Sequence, residues 1–400
     1  MRNIIGQAVV GDDLYGREYE LAQLWERLER GEHILMLAPR RVGKTSLMLE
    51  IRRAPRKNWD VFYVDIESGE GPADCVAAIL AELASDPRYR SRFQSIPFSN
   101  AMRGALGHLQ SVSISTDVLR VEFKAAIGRE WKHAVDQLRS RLTSLPHAGT
   151  NLLIIIDELP LLVSRMLHAP ERKRDAEHLM SLLRNWRQAP DLRGRVHTLI
   201  GGSIGLEGVL RRAGLSGSIN DLAPFRLDSW DRSTATKFLG ELGRSSDFQL
   251  DDVSVAQMLD LLVDPVPYHV QLFFSALRDS SKGQHSSISP EVIQQCFSNR
   301  LAGASGTAHL DHYSARLEIA FDEREHETAR EILGRACRRE DGADFSDIEH
   351  LRSRHEPTYL SVLRDLDADG YIKREDGRLK FRSNLLREWW RKHHGRELVS

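Results

Sequence analysis

Four consecutive residues, Gly43, Lys44, Thr45 and Ser46, carry the first chemical signal in the chain. They follow the apolar run Ile34 to Leu37 and the segment Ala38-Pro39-Arg40-Arg41-Val42, and they lead into Leu47, Met48 and Ile51 at helical spacing. The pattern predicts a short strand, a tight loop and the start of a helix, ending as the second half of a phosphate-binding loop does. Backbone N–H groups in the loop from Ala38 to Ser46, where Pro39 alone has none to give, would cradle phosphate oxygens with the positive end of the helix. Gly43 lets the backbone approach closely because it has no Cβ. Lys44 would place a point charge between β- and γ-phosphates, and Thr45 would offer its hydroxyl to Mg2+. Ala38 stands where the usual pattern has Gly; Ala resists positive φ, so an altered entry into the loop is expected.

The second signal is Asn151-Leu152-Leu153-Ile154-Ile155-Ile156-Asp157-Glu158-Leu159-Pro160. An unbroken aliphatic run predicts a strand buried on both faces, as in a parallel sheet. Its acidic pair falls at the C-terminal end, where ligands sit in such sheets. Asp157 would hold Mg2+ through water, and Glu158 would orient or deprotonate an attacking water.

The elements that must position these residues are also legible. Leu21, Leu24, Trp25 and Leu28 predict a helix ended by Gly31. Gly16-Arg17-Glu18 before it reads, taken alone, as a turn and a helix start. Val61 to Ile66 predicts a second buried strand, Ala73 to Leu83 a helix, Val112 to Phe123 a hairpin or edge strand, and Glu130 to Leu142 a helix. Val196 to Ile200 predicts a strand beside the acidic one. It ends in Gly201-Gly202-Ser203, where a polar residue could reach a γ-phosphate and its water. Phe225 to Leu227 predicts the last strand. From Ser229 the chain turns helical, with Asp264-Pro265-Val266-Pro267 as punctuation and Gly303 to Gly306 as a linker.

The C-terminal part predicts three helices (326–338, 345–353 and 357–366), a hairpin turned at Glu375-Asp376-Gly377, and a last helix capped by Ser383. This is the pattern of a winged helix. Such folds often meet DNA through the third helix, but here Glu356, Asp365 and Asp367 face Arg364 alone. Residues 371–396 are richer in base: Lys373, Arg374, Arg378, Lys380, Arg382, Arg387, Arg391, Lys392 and Arg396. That segment could touch duplex DNA without reading sequence, or it could be a solvated face or a protein contact surface.

Composition bounds the rest. Four hundred residues with a 41% apolar share predict two or three ordered domains, and a formal net charge of −1 offers no global nucleic-acid signature. Cys75, Cys296 and Cys337 suit a reducing cytoplasm, no apolar run has membrane-spanning length, and no signal-peptide core is seen at the start. The histidines show no zinc spacing.

Taken in order, Gly16-Arg17-Glu18, Ala38 to Ser46, Ile155 to Pro160, Gly201-Gly202-Ser203 and the terminal pattern resemble the STAND and archaeal-type P-loop ATPases, in the AAA+ and origin-recognition-like branch. The resemblance implies an α/β P-loop core over residues 1–228, a helical lid over 229–310 and a winged helix over 311–400. It implies ATP and Mg2+ as ligands, with Gly16 and Arg17 near the adenine and Ser203 at the sensor position after the Walker B strand. Pro267 would match the proline of the lid's Gly-x-Pro element, whose Gly is here Pro265. The arginine finger stays open between Arg187, Arg211, Arg212 and an arginine of a neighbouring subunit. The functional expectation is a slow cytoplasmic ATPase acting as a regulatory switch, with Lys44, Asp157, Glu158 and Ser203 as catalytic residues and Thr45 and Asp157 on the metal. Its partner would be another protein or a copy of itself, and no membrane. The alternatives are a DNA-associated ATPase of origin, loader or transposition type, and a scaffold that binds ATP without hydrolysing it.

Overall fold

The computed structural model describes residues 2–94, 115–142, 149–202, 205–248, 250–281 and 288–395. Five parallel strands form the central sheet: β1 (His33–Leu37), β2 (Trp59–Asp65), β3 (Asn151–Asp157), β4 (Val196–Ile200) and β5 (Leu222–Arg226), in the order β2-β3-β4-β1-β5. β3 and β4 lie inside the sheet and are buried almost throughout, which is why both read as unbroken apolar runs. β5 is an edge strand and tolerates Pro224, which has no N–H to give to a neighbour.

Helices α1 (Glu18–Glu29), α2 (Lys44–Arg53), α3 (Pro72–Ser85), α4 (Pro87–Gln94), α5 (Thr116–Ile127), α6 (Trp131–Leu142), α7 (Leu159–His168), α8 (Lys173–Gln188) and α9 (Leu206–Arg212) accompany the sheet. Where 112–123 was expected to be a hairpin or edge strand, the described part is helical. Ser115 caps α5 through Val118 N–H, and Leu119, Phe123 and Ile127 recur at four-residue spacing and are buried. Alternation over 112–123 suggested a strand, but two of its β-branched residues, Val118 and Val121, are exposed on the helix. Packing of one helical face against α3 overrides local β-propensity.

Next come α10 (Arg232–Ser245), α11 (Asp252–Leu262), α12 (Pro267–Ser280) and α13 (Pro290–Gln295), the last continued by a π-helical turn. α14 (Thr307–Ala320) follows and was not anticipated. Its alternating small, charged and aromatic residues give little amphipathic contrast. The terminal unit holds α15 (Glu323–Ala336), the short β6 (Ala343–Asp344), α16 (Glu349–Arg354), α17 (Glu356–Ala368), β7 (Ile372–Glu375), β8 (Arg378–Phe381) and α18 (Asn384–His393). β7 and β8 pair antiparallel around Asp376 and Gly377, both at positive φ (53° and 73°), and β6 joins β8. Two positive φ angles at the turn match the twist of a tight hairpin. Among the described residues, no helix is long and apolar enough to cross a membrane.

Four histidines inside this fold give it an acid limit. Burial, with Arg187 beside it, lowers His33 to about 4; burial and His33 lower His197 to about 4; burial and Arg41 lower His269 to about 3; burial and then Arg40 and Arg41 lower His312 to about 2. These folded values lie below the unfolded 6.5, so unfolding takes up protons, and stability is lost as pH falls from about 6.5. Asp369 works the other way, because burial and the nearby Asp365 raise it to about 7. His326 and His394 are lowered as well, and Asp65, Glu82, Asp264 and Glu325 are raised, all chiefly by burial; the four deeply lowered histidines set the sign, a fall in stability between roughly pH 7 and 5.5. Urea midpoints at the two pH values check this; equal midpoints would contradict it.

Candidate functional site

The loop after β1 folds back on itself. Lys44 Nζ donates to the carbonyls of Ala38 (2.9 Å) and Pro39 (3.2 Å) and is buried, and that burial lowers its pKa. Gly43 adopts φ 101° and Arg41 φ 66°. A side chain at Gly43 would meet nothing within 4 Å, so backbone conformation rather than space asks for glycine there. Arg41 holds a left-handed backbone without that freedom, a strain often found where a loop must shape a ligand site. Ala38 is not among the positive-φ residues, so the departure from Gly brings no backbone strain.

The acidic strand end meets this loop. Thr45 Oγ1 donates to Asp157 Oδ2 at 2.9 Å, and Tyr63 of β2 donates to the same oxygen at 3.0 Å. Parallel pairing of β2 with β3 puts Tyr63 opposite Ile155, two residues short of Asp157. Burial, then Asp157's charge, raises the Tyr63 pKa, so its hydroxyl stays a donor. Sequence reading passed over Tyr63 because one aromatic in a strand looks like core. Asp157 Oδ1 accepts the Glu158 N–H at 3.0 Å, and Glu158, at φ 62°, turns the chain from strand into α7.

A cavity of about 350 Å³ runs past these groups, lined by Arg17, Arg40 to Ser46, Glu67, Glu158, Trp230, Pro267, Tyr268 and Arg316 among others. Ala38 and Pro39 line a second cavity of about 300 Å³ on the other side of the loop. Gly16 lies outside the lining. Its φ is 61°, and a Cβ there would come 2.5 Å from Thr234 Cγ2. Arg17 acts as a brace: Nη2 donates to the carbonyls of Val42 and Asp228, each at 2.8 Å. Ser46 Oγ accepts the Val9 N–H at 3.0 Å, holding the N-terminal segment against α2. Pro267 starts α12 at the cavity wall.

Gly201 and Gly202 end β4 where its neighbours crowd in. A Cβ on Gly202 would lie 2.7 Å from the Pro160 ring, and one on Gly201 would lie 2.1 Å from Met48 Cε. Ser203 lies outside the described residues, as does Arg396. The three arginines considered as fingers are all engaged. Arg187 forks onto Asp221 (2.7 and 3.1 Å), while Arg211 (2.6 Å) and Arg212 both grip Asp365 of α17.

The terminal unit leans on the loop. Gly370, at φ 80°, would bring a Cβ within 2.5 Å of Pro39, and Tyr371 donates to the Tyr313 carbonyl at 2.7 Å. Asp365, expected to repel DNA from α17, is instead turned into the protein and paired. Much of the basic segment is paired too: Lys373 and Lys380 with Glu375, Arg378 with Asp341, Arg387 and Arg391 with Glu388.

Several buried donors in the cavity have no protein partner: Arg40 Nε and Nη1, Arg316 Nη1 and Trp230 Nε1. Buried guanidinium and indole N–H groups are costly unless paired. Two guanidinium groups beside Lys44 therefore fit an anionic ligand carrying more than one charge, and an indole N–H fits a polar ring edge. No cluster of three or more His, Cys, Asp or Glu side chains suited to a metal occurs among the described residues. Thr45 and Asp157 offer two oxygens in contact, the sparse protein share that Mg2+ takes when phosphate and water complete its shell.

No protein-family model matches the chain, and no curated protein matches it. Solved structures do. A Walker-type ATPase of Pyrococcus abyssi is similar over 98% of this chain and 100% of its own, with 18% identity and a TM-score of 0.64. The ORC2 protein of Aeropyrum pernix, in ADPNP–ADP complexes, is similar over 95% of this chain and 94% of its own, with 14% identity and a TM-score of 0.53. With the parallel order β2-β3-β4-β1-β5 and the loop between β1 and α2, these likenesses give the chain the α/β P-loop NTPase fold.

Proposed function

We propose that the chain binds Mg-ATP in the cavity beside Lys44 and hydrolyses it slowly, as a switch whose nucleotide state sets how it engages a protein partner or another copy of itself. The observation that carries this is the contact of Thr45 with Asp157 at the mouth of a cavity lined by Lys44, Arg40 and Glu158. The division into a core (1–228), a lid (229–310) and a winged helix (311–400) is part of the reading, although the second boundary falls inside α14. The order of α15, α16, α17, the β7–β8 hairpin and α18 supports the winged-helix assignment.

Residue roles follow from position. Lys44 would release the two loop carbonyls and face phosphate oxygens. Thr45 Oγ1 and Asp157 would hold Mg2+, which supplies Lewis-acid stabilisation of phosphoryl charge when bound. Tyr63 keeps the Asp157 carboxylate in place. Glu158 would accept a proton from the attacking water on a carboxylate oxygen, so that water oxygen bonds to phosphorus as the bond to the ADP oxygen breaks. Trp230 and Tyr15, which pack with Phe238, would receive the base.

The test is ATP binding by calorimetry and turnover, with mass in solution, for wild type and Lys44→Ala. Wild type should bind and turn over ATP, and Lys44→Ala should weaken binding about 10- to 100-fold. Wild type that binds no ATP would end the reading. Stimulation by duplex DNA, lost on neutralising Lys380 and Arg382, would move it to the DNA-associated alternative.

A further inference from the structure

The Asp157 carboxylate is buried and already well supplied with donors. Thr45 Oγ1 and the Tyr63 hydroxyl both donate to Oδ2, and the Glu158 N–H donates to Oδ1. An ionised carboxylate has about four acceptor positions, two on each oxygen. Both positions of Oδ2 are therefore filled, and about one remains, on Oδ1. Thr45 and Glu158 line the neighbouring cavity, but neither Asp157 nor Tyr63 is among its lining residues. The carboxylate stands one layer back from the space a ligand would fill.

Two of the three bonds have other reasons to exist. The Glu158 N–H is offered by the backbone as the chain turns from β3 into α7. A threonine hydroxyl can give its hydrogen to Asp157 while its oxygen keeps lone pairs for a cation. The Tyr63 bond has no such origin. Phe62 and Val64 turn to the buried face of β2, and Tyr63 stands on the other face with Val61 and Asp65. The register sets Asp65 opposite Asp157, so the Tyr63 hydroxyl reaches two residues along the strands, about 6.6 Å, to meet Oδ2. Phenylalanine would fill the same space. Only the hydroxyl is left to explain, and it goes to Asp157.

The consequence falls on a cation. Mg2+ dehydrates reluctantly and keeps several waters, whereas Ca2+ takes carboxylate oxygens directly, one or both at a time. Asp65 and Asp157, side by side at the strand ends, are by themselves oxygens of the kind Ca2+ takes. With Oδ2 filled, Asp157 cannot chelate; its remaining position suits the hydrogen of a metal-held water. Resting on the nucleotide reading above, we infer that Tyr63 sets the metal preference of the site: by occupying Asp157 Oδ2 it makes the carboxylate meet the cation through water, which favours hydrated Mg2+ over Ca2+. Tyr63 acts through Asp157 and is a positioning residue.

The experiment reads metal binding rather than turnover. Wild type and Tyr63→Phe, which keeps the ring and its packing, are titrated with Mg2+ and with Ca2+ in the presence of a non-hydrolysable ATP analogue. Bound Mn2+ then counts metal-held waters by proton relaxation. Tyr63→Phe should raise the ratio of Ca2+ to Mg2+ affinity about tenfold, and bound Mn2+ should lose about one water to the freed oxygen. An unmoved ratio, including equal weakening of both metals, would overturn the inference in favour of a packing role, and so would an unchanged water count. Asp157→Asn supplies the second arm. Adding Tyr63→Phe to it should leave the ratio where Asp157→Asn alone puts it, and a further shift would overturn the route through Asp157. Wild type that binds no nucleotide with either metal would overturn the nucleotide reading first, and this inference with it; nucleotide bound with an unmoved ratio would overturn this inference alone.

Discussion

Glu158→Gln is expected to lower ATP turnover by about 100- to 10,000-fold and to leave nucleotide affinity nearly unchanged. Gln keeps the shape and the hydrogen-bonding oxygen of Glu but cannot hold a proton from water. Glu158 lines the cavity with Lys44, while the contact that would hold the metal is made one residue earlier by Asp157. Binding and chemistry should therefore separate at this pair: Asp157→Asn should disturb both, and Glu158→Gln only turnover. The backbone offers a control. Glu158 sits at φ 62°, where Gly is at ease and Glu is not. Glu158→Gly should stay within about 1 kcal/mol of wild-type stability while losing turnover. Steady-state turnover and thermal midpoints for the three variants decide it. Unchanged turnover in Glu158→Gln would remove Glu158 from the chemistry.

The phosphate loop, the acidic strand end and the succession of strands along the chain were legible because each rests on local rules. A loop that must expose N–H groups needs Gly43, and a strand covered on both faces needs an aliphatic run such as Leu152 to Ile156. The terminal hairpin was legible for the same reason, since Asp376-Gly377 is a turn dipeptide. What escaped depends on contacts distant in sequence. Tyr63 matters because parallel register brings β2 beside Asp157, and no spacing in the chain announces that. Arg316 lies more than 270 positions from Lys44, on a helix whose weak amphipathic contrast hid it. Asp365 was read as surface charge because its partners, Arg211 and Arg212, come from α9. At α5 the reverse happened: local alternation over 112–123 pointed to a strand, and burial of Leu119, Phe123 and Ile127 decided for helix.

Asp365 is where the terminal unit is expected to come loose. Its side chain is 10% exposed and is gripped by Arg211 at 2.6 Å and by Arg212. Arg212 also donates to the Ala320 carbonyl at the end of α14, so one ion cluster joins α9, α14 and α17. Gly208 makes room for it, since a Cβ there would lie 2.5 Å from Asp365 Oδ1. Asp365→Ala would leave two arginines facing each other without their shared anion. Both keep some access to water, 29% and 21% of their side chains, so the penalty falls below that of a sealed pair, at about 2 to 3 kcal/mol. The loss should be local. Hydrogen exchange should quicken in α17 and the 369–371 turn, which rests Gly370 on Pro39, while β1, β3 and β4 keep their protection. Nucleotide binding supplies the second readout. If the terminal unit restrains the phosphate loop through Pro39, Asp365→Ala should speed nucleotide exchange, and Gly208→Ala, which crowds the same carboxylate, should act in the same direction. Faster exchange in α17 with unaltered nucleotide release would show the clamp to be structural only, and unchanged protection throughout would show that Asp365 does not hold the two parts together.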